Sequence, residues 1–262
     1  MDLNLKGKVV IVTGAASGIG EATCRALAAE GAIPCMLDND EHRLNLVGKE
    51  IEAGGLKCFY SVVELTDASS CKTAMDQILK KYDRIDGIVN NAGVNDGVSL
   101  EEGNYDAFLH SLKRNVAHYF TLVHLALPSL KKAVGAIVNI SSKTALTGQG
   151  GTSGYAAANG ERLALTQKWA DELSTFDIKV NAVVVAECWT PQYERWIGKQ
   201  SNPQEKLKEI TSKIPLENRM TTPQEIADTV LFLLSGKSPV NGQFIHVDGG
   251  YVHLDRSLTV LN

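Results

Sequence analysis

The chain has no basic block, no closely paired cysteines, no long apolar run and no histidine pair at metal-ligand spacing. Its 26 basic residues are scattered and outnumbered by 30 acidic ones, for a net charge of −4, which argues against a surface that tracks nucleic-acid phosphates. The five cysteines (Cys24, Cys35, Cys58, Cys71, Cys188) are odd in number and form no C-x-x-C motif, the usage of reduced thiols. No run reaches the roughly 18 apolar residues of a membrane span, and the segment from Met1 to Gly14 lacks the apolar core of a secretory signal. A cytoplasmic, soluble protein is expected. None of the six histidines forms H-E-x-x-H or a similar pair; His118 and His124 suit ordinary helix packing, so no metal site is expected. With 262 residues, 44% of them hydrophobic, the chain can bury roughly 70–75% of its unfolded surface and needs neither disulfide nor metal to fold. A small-molecule partner suits it best.

Lys8–Thr13 is a β-branched run that ends in glycine, and Glu21–Glu30 then repeats apolar residues at helical spacing until Gly31. The alternation continues with strands expected at Ala32–Leu37, Lys57–Glu64, Gly87–Asn90, Ala136–Ile140, Lys179–Val185 and Gln243–Val247. Between them fall helices at Asp40–Ala53, Ser69–Lys81, about Tyr105–Leu130 and Gly154–Leu173. Strands buried on both faces and alternating with helices imply an α/β doubly wound parallel sheet of Rossmann type, with ligands beyond the strands' carboxyl ends. No linker or repeat divides the chain, so residues 1–262 read as one domain. One insertion, about 190–220, holds two short helices, the second opened by Asn202-Pro203-Gln204-Glu205; a small helical lid is expected there.

Thr13-Gly14-Ala15-Ala16-Ser17-Gly18-Ile19-Gly20 joins the first strand to the first helix. Gly14 permits the tight turn, Gly18 lets backbone approach a pyrophosphate, Gly20 allows close helix packing, and the helix N-terminus attracts the anion. Asp38, at the end of the second strand, can accept both adenosine ribose hydroxyls and would repel a 2′-phosphate, so NAD is the cofactor expected.

The T-G-x-x-x-G-I-G run, Asn90-Asn91-Ala92-Gly93 after the fourth strand and the Ser142…Tyr155 pair together resemble the short-chain dehydrogenase/reductase family, and the resemblance covers the whole chain. It implies cofactor contacts from Ser17, Ile19, Asn91, Ala92 and Gly93, an adenine contact from Glu64-Leu65, and a nicotinamide carboxamide contact from Thr190. It further implies that Asn115 holds a proton-relay water, Ser142 hydrogen-bonds the substrate oxygen and Tyr155 is the acid/base. It also implies a homotetramer, with the two long helices paired across one axis and the C-terminal segments across another, the tail Tyr251–Asn262 helping to close a neighbouring site.

A base must sit within roughly 3 Å of a hydroxyl that loses its proton as hydride departs, and a second donor must fix the angle. Tyrosine, ionising near pH 10, is a poor base at neutrality, and the family corrects this with a lysine four residues later. Here that position is Asn159. The carboxamide can still bond a nicotinamide ribose hydroxyl but brings no charge. A unit charge about 5 Å away at an effective dielectric near 20 is worth roughly 3 kcal/mol, so the expected handicap is about a hundredfold. Lys143 and Arg162, the latter two turns beyond Tyr155 on the same helical face, are the cations that can stand in.

Asn91–Gly97, Ser142–Gly150, Ala186–Pro191 and Gly250–Arg256 resemble the bacterial L-fucose dehydrogenase branch, which implies oxidation of the anomeric hydroxyl of L-fucose or a similar aldose to a lactone. Asn95, Asp96, Lys143, Gln149 and Glu187 fall on the loops where a sugar pocket needs polar side chains. The alternatives are a dehydrogenase of another secondary alcohol and an NAD-binding pseudoenzyme disabled by Asn159.

Overall fold

Every β-branched run expected to be a strand is one in the computed structural model, which describes residues 2–254. The elements are β1 (Val9–Thr13), α1 (Gly18–Ala29), β2 (Ile33–Asp38), α2 (Glu41–Ala53), β3 (Phe59–Val62), α3 (Ala68–Tyr82), β4 (Gly87–Asn90), α4 (Tyr105–Leu112), α5 (His118–Ala133), β5 (Ala136–Ser142), α6 (Ser153–Glu172), β6 (Lys179–Val185), α7 (Pro191–Ile197), α8 (Pro203–Thr211), α9 (Pro223–Leu234) and β7 (Phe244–Val247). The strands form one parallel sheet in the order β3-β2-β1-β4-β5-β6-β7. Strand order reverses between β1 and β4, which opens a crevice at their carboxyl ends.

Residues alternate between two apolar layers, as the pleat requires. Val10 and Val12 of β1 face α1, α2 and α9 through Leu27, Leu44 and Val230. Val9 and Ile11 face α3, α5 and α6 through Ile78, Leu122 and Trp169. All five cysteines are buried and unpaired, and burial pushes their thiols up, Cys58 and Cys71 to about 11, so none is poised as a thiolate nucleophile.

Two local features bear on the site. The helix expected from Tyr105 to Leu130 is interrupted by a π-helical turn at Lys113–Ala117, where an extra residue per turn swings Asn115 into the interior. The insertion forms the two short helices expected. Thr190 caps α7 by accepting from the Tyr193 amide, Asn202 caps α8 by accepting from the Glu205 amide, and Thr222 and Glu225 form a reciprocal capping box on α9. Among the described residues no helix is long and apolar enough to cross a membrane, and no group of three or more candidate metal ligands occurs.

Asp86, just before β4, fastens that strand to the start of β1. Its buried carboxylate accepts the Val9 amide at 2.9 Å, the Arg84 Nε–H at 2.8 Å and the Lys8 ammonium at 3.1 Å. Burial alone would raise its pKa; the Arg84 contact, then the Val9 amide and Lys8, outweigh it and hold the group below the usual carboxylate value. A depressed folded-state pKa stabilises above the unfolded pKa of about 4, and that stabilisation fades as pH falls through the folded value. Asp86→Ala, which strands the buried Val9 amide, should cost about 1–3 kcal/mol in urea unfolding at pH 7. The difference from the parent should narrow as pH falls below about 4.

Candidate active site

A cavity of about 1030 Å³ runs along the carboxyl edge of the sheet from the β1–α1 turn to α7. At the first end, Gly14 adopts φ 65°, and a Cβ there would lie 2.9 Å from Asn91 Nδ2 and 3.0 Å from the Ala92 Cα. Ser17, Gly18 and Ile19 line the cavity at the N-terminus of α1, leaving backbone amides where an anion would sit. Gly20 does not line it; a Cβ there would come within 2.0 Å of the Gly14 carbonyl, so its part is to let α1 pack on the turn. The Thr13 hydroxyl accepts the Asn91 and Ala92 amides at 2.9 and 3.0 Å, and Asn91 Nδ2 donates to the Thr13 carbonyl.

Asp38 lines the same end, its two oxygens accepting the Ala16 amide at 2.9 Å and the Asp40 amide at 3.0 Å. Glu64 and Leu65 line it too, with the Thr66 hydroxyl and then its amide holding the Glu64 carboxyl below its ordinary value. Sequence reasoning missed one cation nearby. Arg43 Nε donates to the Ala16 carbonyl, but its Nη2 is held by Glu21 at 3.2 Å. Its place in the first turn of α2, three residues after the cap Asp40, was the signal available.

At the chemical end, Ser142 closes β5 and Tyr155 stands in the first turn of α6, both lining the cavity. The other two residues of the expected catalytic set lie elsewhere. Asn159 is fully buried and does not line the cavity: Nδ2 donates to the Tyr155 carbonyl at 2.8 Å, and Oδ1 accepts from Arg162 Nη1 at 3.0 Å. The Ser141 hydroxyl of β5 also donates to that Oδ1 at 3.4 Å, so both ends of the carboxamide are engaged inside the protein, away from the cavity where a ribose hydroxyl was expected to meet it. Asn115 is buried as well. Its Oδ1 accepts the Val94 amide, Nδ2 donates to the Ser111 carbonyl, and its own carbonyl accepts from both Nε and Nη2 of Arg162. A carbonyl oxygen offers two lone pairs, and the guanidinium takes both.

The substrate side is polar and partly closed. Lys143 and Glu187, 5% and 7% exposed, form an ion pair inside the cavity, and the Lys143 ammonium also lies 3.6 Å from the Tyr251 ring centroid. Tyr193 of α7 reaches the same carboxylate; burial first and then Glu187 push its phenol up. Asn95, Asp96, Gln149 and Thr190 line the cavity, Asn95 Oδ1 accepting the Gly97 amide and Asp96 Oδ1 the Ser111 hydroxyl. The ion pair spans 44 positions of sequence, and nothing local signals it.

A family model described as short chain dehydrogenase matches residues 8–199. A 3-oxoacyl-(acyl-carrier-protein) reductase of Thermotoga maritima is 36% identical over 255 residues, covering 95% of this chain and 100% of its own length. An L-fucose dehydrogenase of Bos taurus is 33% identical, covering 95% of this chain and 91% of its own length. The crystal structure of Cj0485 dehydrogenase superimposes with a TM-score of 0.93 at 38% identity, covering 98% of this chain and 99% of that one. An acyl substrate and a sugar appear among relatives of nearly equal identity, so likeness alone leaves the substrate open.

The buried pair makes a stability prediction. Glu187→Leu leaves the Lys143 ammonium buried without its partner and should lower stability by about 3–5 kcal/mol, whereas the Lys143→Met, Glu187→Leu double variant should recover most of it. Urea unfolding of the three proteins reads this out; a double variant no better than the single one would show that the two charges do not act as a pair.

Proposed function

Because the chain belongs to the short-chain dehydrogenase family, we propose that it is an NAD-dependent dehydrogenase that oxidises the anomeric hydroxyl of L-fucose or a similar aldose to the lactone. The observation that carries the sugar reading is the Lys143–Glu187 pair beside Ser142 and Tyr155. Two desolvated charges in a pocket wall oppose an apolar alcohol or acyl chain, while a polyol can hydrogen-bond to both. Asn95, Asp96 and Gln149 add further donors and acceptors around it. The L-fucose dehydrogenase relative points the same way.

When bound, the cofactor would supply the acceptor for the hydride released from the carbinol carbon. Tyr155 takes the hydroxyl proton as that hydride leaves, and Ser142 hydrogen-bonds the same oxygen so that the developing carbonyl keeps its angle. The cofactor fits the glycine turn at the N-terminus of α1, where a Cβ on Gly14 would fill the approach to Asn91 and Ala92. Asp38 favours NAD, since a 2′-phosphate would meet its carboxylate, and Arg43, which reaches the Ala16 carbonyl beside it, is held by Glu21.

The quaternary proposal is a two-fold symmetric tetramer that pairs α4, α5 and α6. Tyr105, Phe108, Leu109 and Phe120 leave apolar surface exposed on α4 and α5. The tail expected at a neighbouring site lies, beyond Leu254, outside the described residues.

With NAD present, aldoses should generate NADH absorbance and lactone, L-fucose among the best. Turnover of an apolar alcohol but of no aldose would replace the sugar by another secondary alcohol, and NAD binding without any turnover would make the protein a pseudoenzyme. Tyr155→Phe should lower kcat/KM by about 10²–10⁴-fold. Asp38→Ala should narrow the NAD-over-NADP preference by about tenfold or more, the worth of a hydrogen bond to a charged group. Sedimentation at micromolar concentration should give a tetramer; a monomer refutes that part.

A further inference from the structure

We propose that Arg162 is the positioning cation of this site, supplying through a fixed guanidinium the charge that Asn159 does not bring beside Tyr155. The inference deepens the dehydrogenase reading. Arg162 lies seven residues beyond Tyr155 on α6, on the same helical face, and both line the cavity. It is 2% exposed, and its donors reach only neutral oxygens: the carbonyls of Asn115, Ile140 and Ala92 and the Asn159 carboxamide. None of those acceptors is a carboxylate, so the charge is not cancelled where it sits. Lys143, the other stand-in, is neutralised by Glu187.

The surroundings are shaped to this guanidinium. It lies 4.6 Å from the Tyr119 ring centroid, and a Cβ on Gly93 would fall 2.4 Å from Nη2, so the glycine after Asn91-Ala92 leaves room for it. Asn159 is short where a lysine would compete for the same space, and its Oδ1 accepts from Nη1. An arginine cannot be deprotonated in a protein, so the charge is constant over the working pH range, and it passes no proton on. The titratable groups facing it are His118 and Tyr119 from α5, while Tyr155 of its own helix and Lys143, Glu187, Asp96 and Arg114 line the same cavity. Burial and then the Arg162 charge hold His118 down at about 3, and burial pushes Tyr119 up, so neither changes charge near neutrality.

The test follows the near-ultraviolet absorbance of tyrosinate against pH, with the Tyr155→Phe titration subtracted, in the parent, Arg162→Met and Arg162→Lys. Residues seven apart lie about 10 Å apart along a helix axis, so removing the unit charge at an effective dielectric near 20 should move the Tyr155 midpoint up by about one pH unit, and Arg162→Lys should restore most of that shift. The alkaline rise of kcat/KM should move with it. Because the titration needs no substrate, failure of the protein to oxidise any aldose leaves it readable. An unchanged midpoint in Arg162→Met, or an Arg162→Lys midpoint equal to that of Arg162→Met, overturns the proposal. Arg162→Gln, which keeps donors for the surrounding carbonyls but brings no charge, gives an independent reading should Arg162→Met not fold: the same upward shift is expected, and an unchanged midpoint overturns the proposal.

Discussion

The Thr13 hydroxyl holds the site together. β1 and β4 are where the strand order reverses, and the crevice between their carboxyl ends would spread without a tie across it. One oxygen accepts the amides of both Asn91 and Ala92, and Asn91 returns a bond to the Thr13 carbonyl. That geometry sets the approach of Gly14 to Ala92 on one side. On the other it aims the Ala92 carbonyl at Arg162 and the Tyr119 hydroxyl. The glycine turn and the Ser142–Tyr155 end of the cavity are thus positioned from a single side-chain oxygen at the end of β1.

The fold and the dinucleotide end are legible in the sequence because their causes are local. β-branched runs, helix caps and the glycines of the first turn act within a few residues of themselves, and the strands, the cap at Asn202 and the turn at Gly14 follow directly. The chemical end is less legible because its causes are tertiary. Asn159 falls on the expected face of α6, but its reach is set by side-chain length, and its partners are the Tyr155 carbonyl and Arg162 of its own helix and the Ser141 hydroxyl of β5. The π-turn that brings the Asn115 carbonyl to Arg162 depends on packing between α4, α5 and α6 and breaks no propensity rule readable beforehand. Lys143 and Glu187 lie on successive strand-to-helix loops, and only the sheet register, with Ser142 opposite Val185, makes them neighbours.

Two of the cations that line the cavity thus stand in opposite electrostatic states. Lys143 is matched by a carboxylate, so its long-range field is small and its effect is confined to groups that touch it, which suits recognition of a polar substrate. Arg162 is solvated only by dipoles, so its field persists across the low-dielectric interior to the groups around it. Exchanging these roles would fail at both ends. A neutralised cation beside Tyr155 would leave the phenol without electrostatic help, and an unmatched ammonium against the substrate would cost its full desolvation. A lysine at 159 would combine charge and proton transfer in one group. Dividing the position between a short amide and a buried arginine keeps the charge, and neither group can pass a proton on near neutral pH.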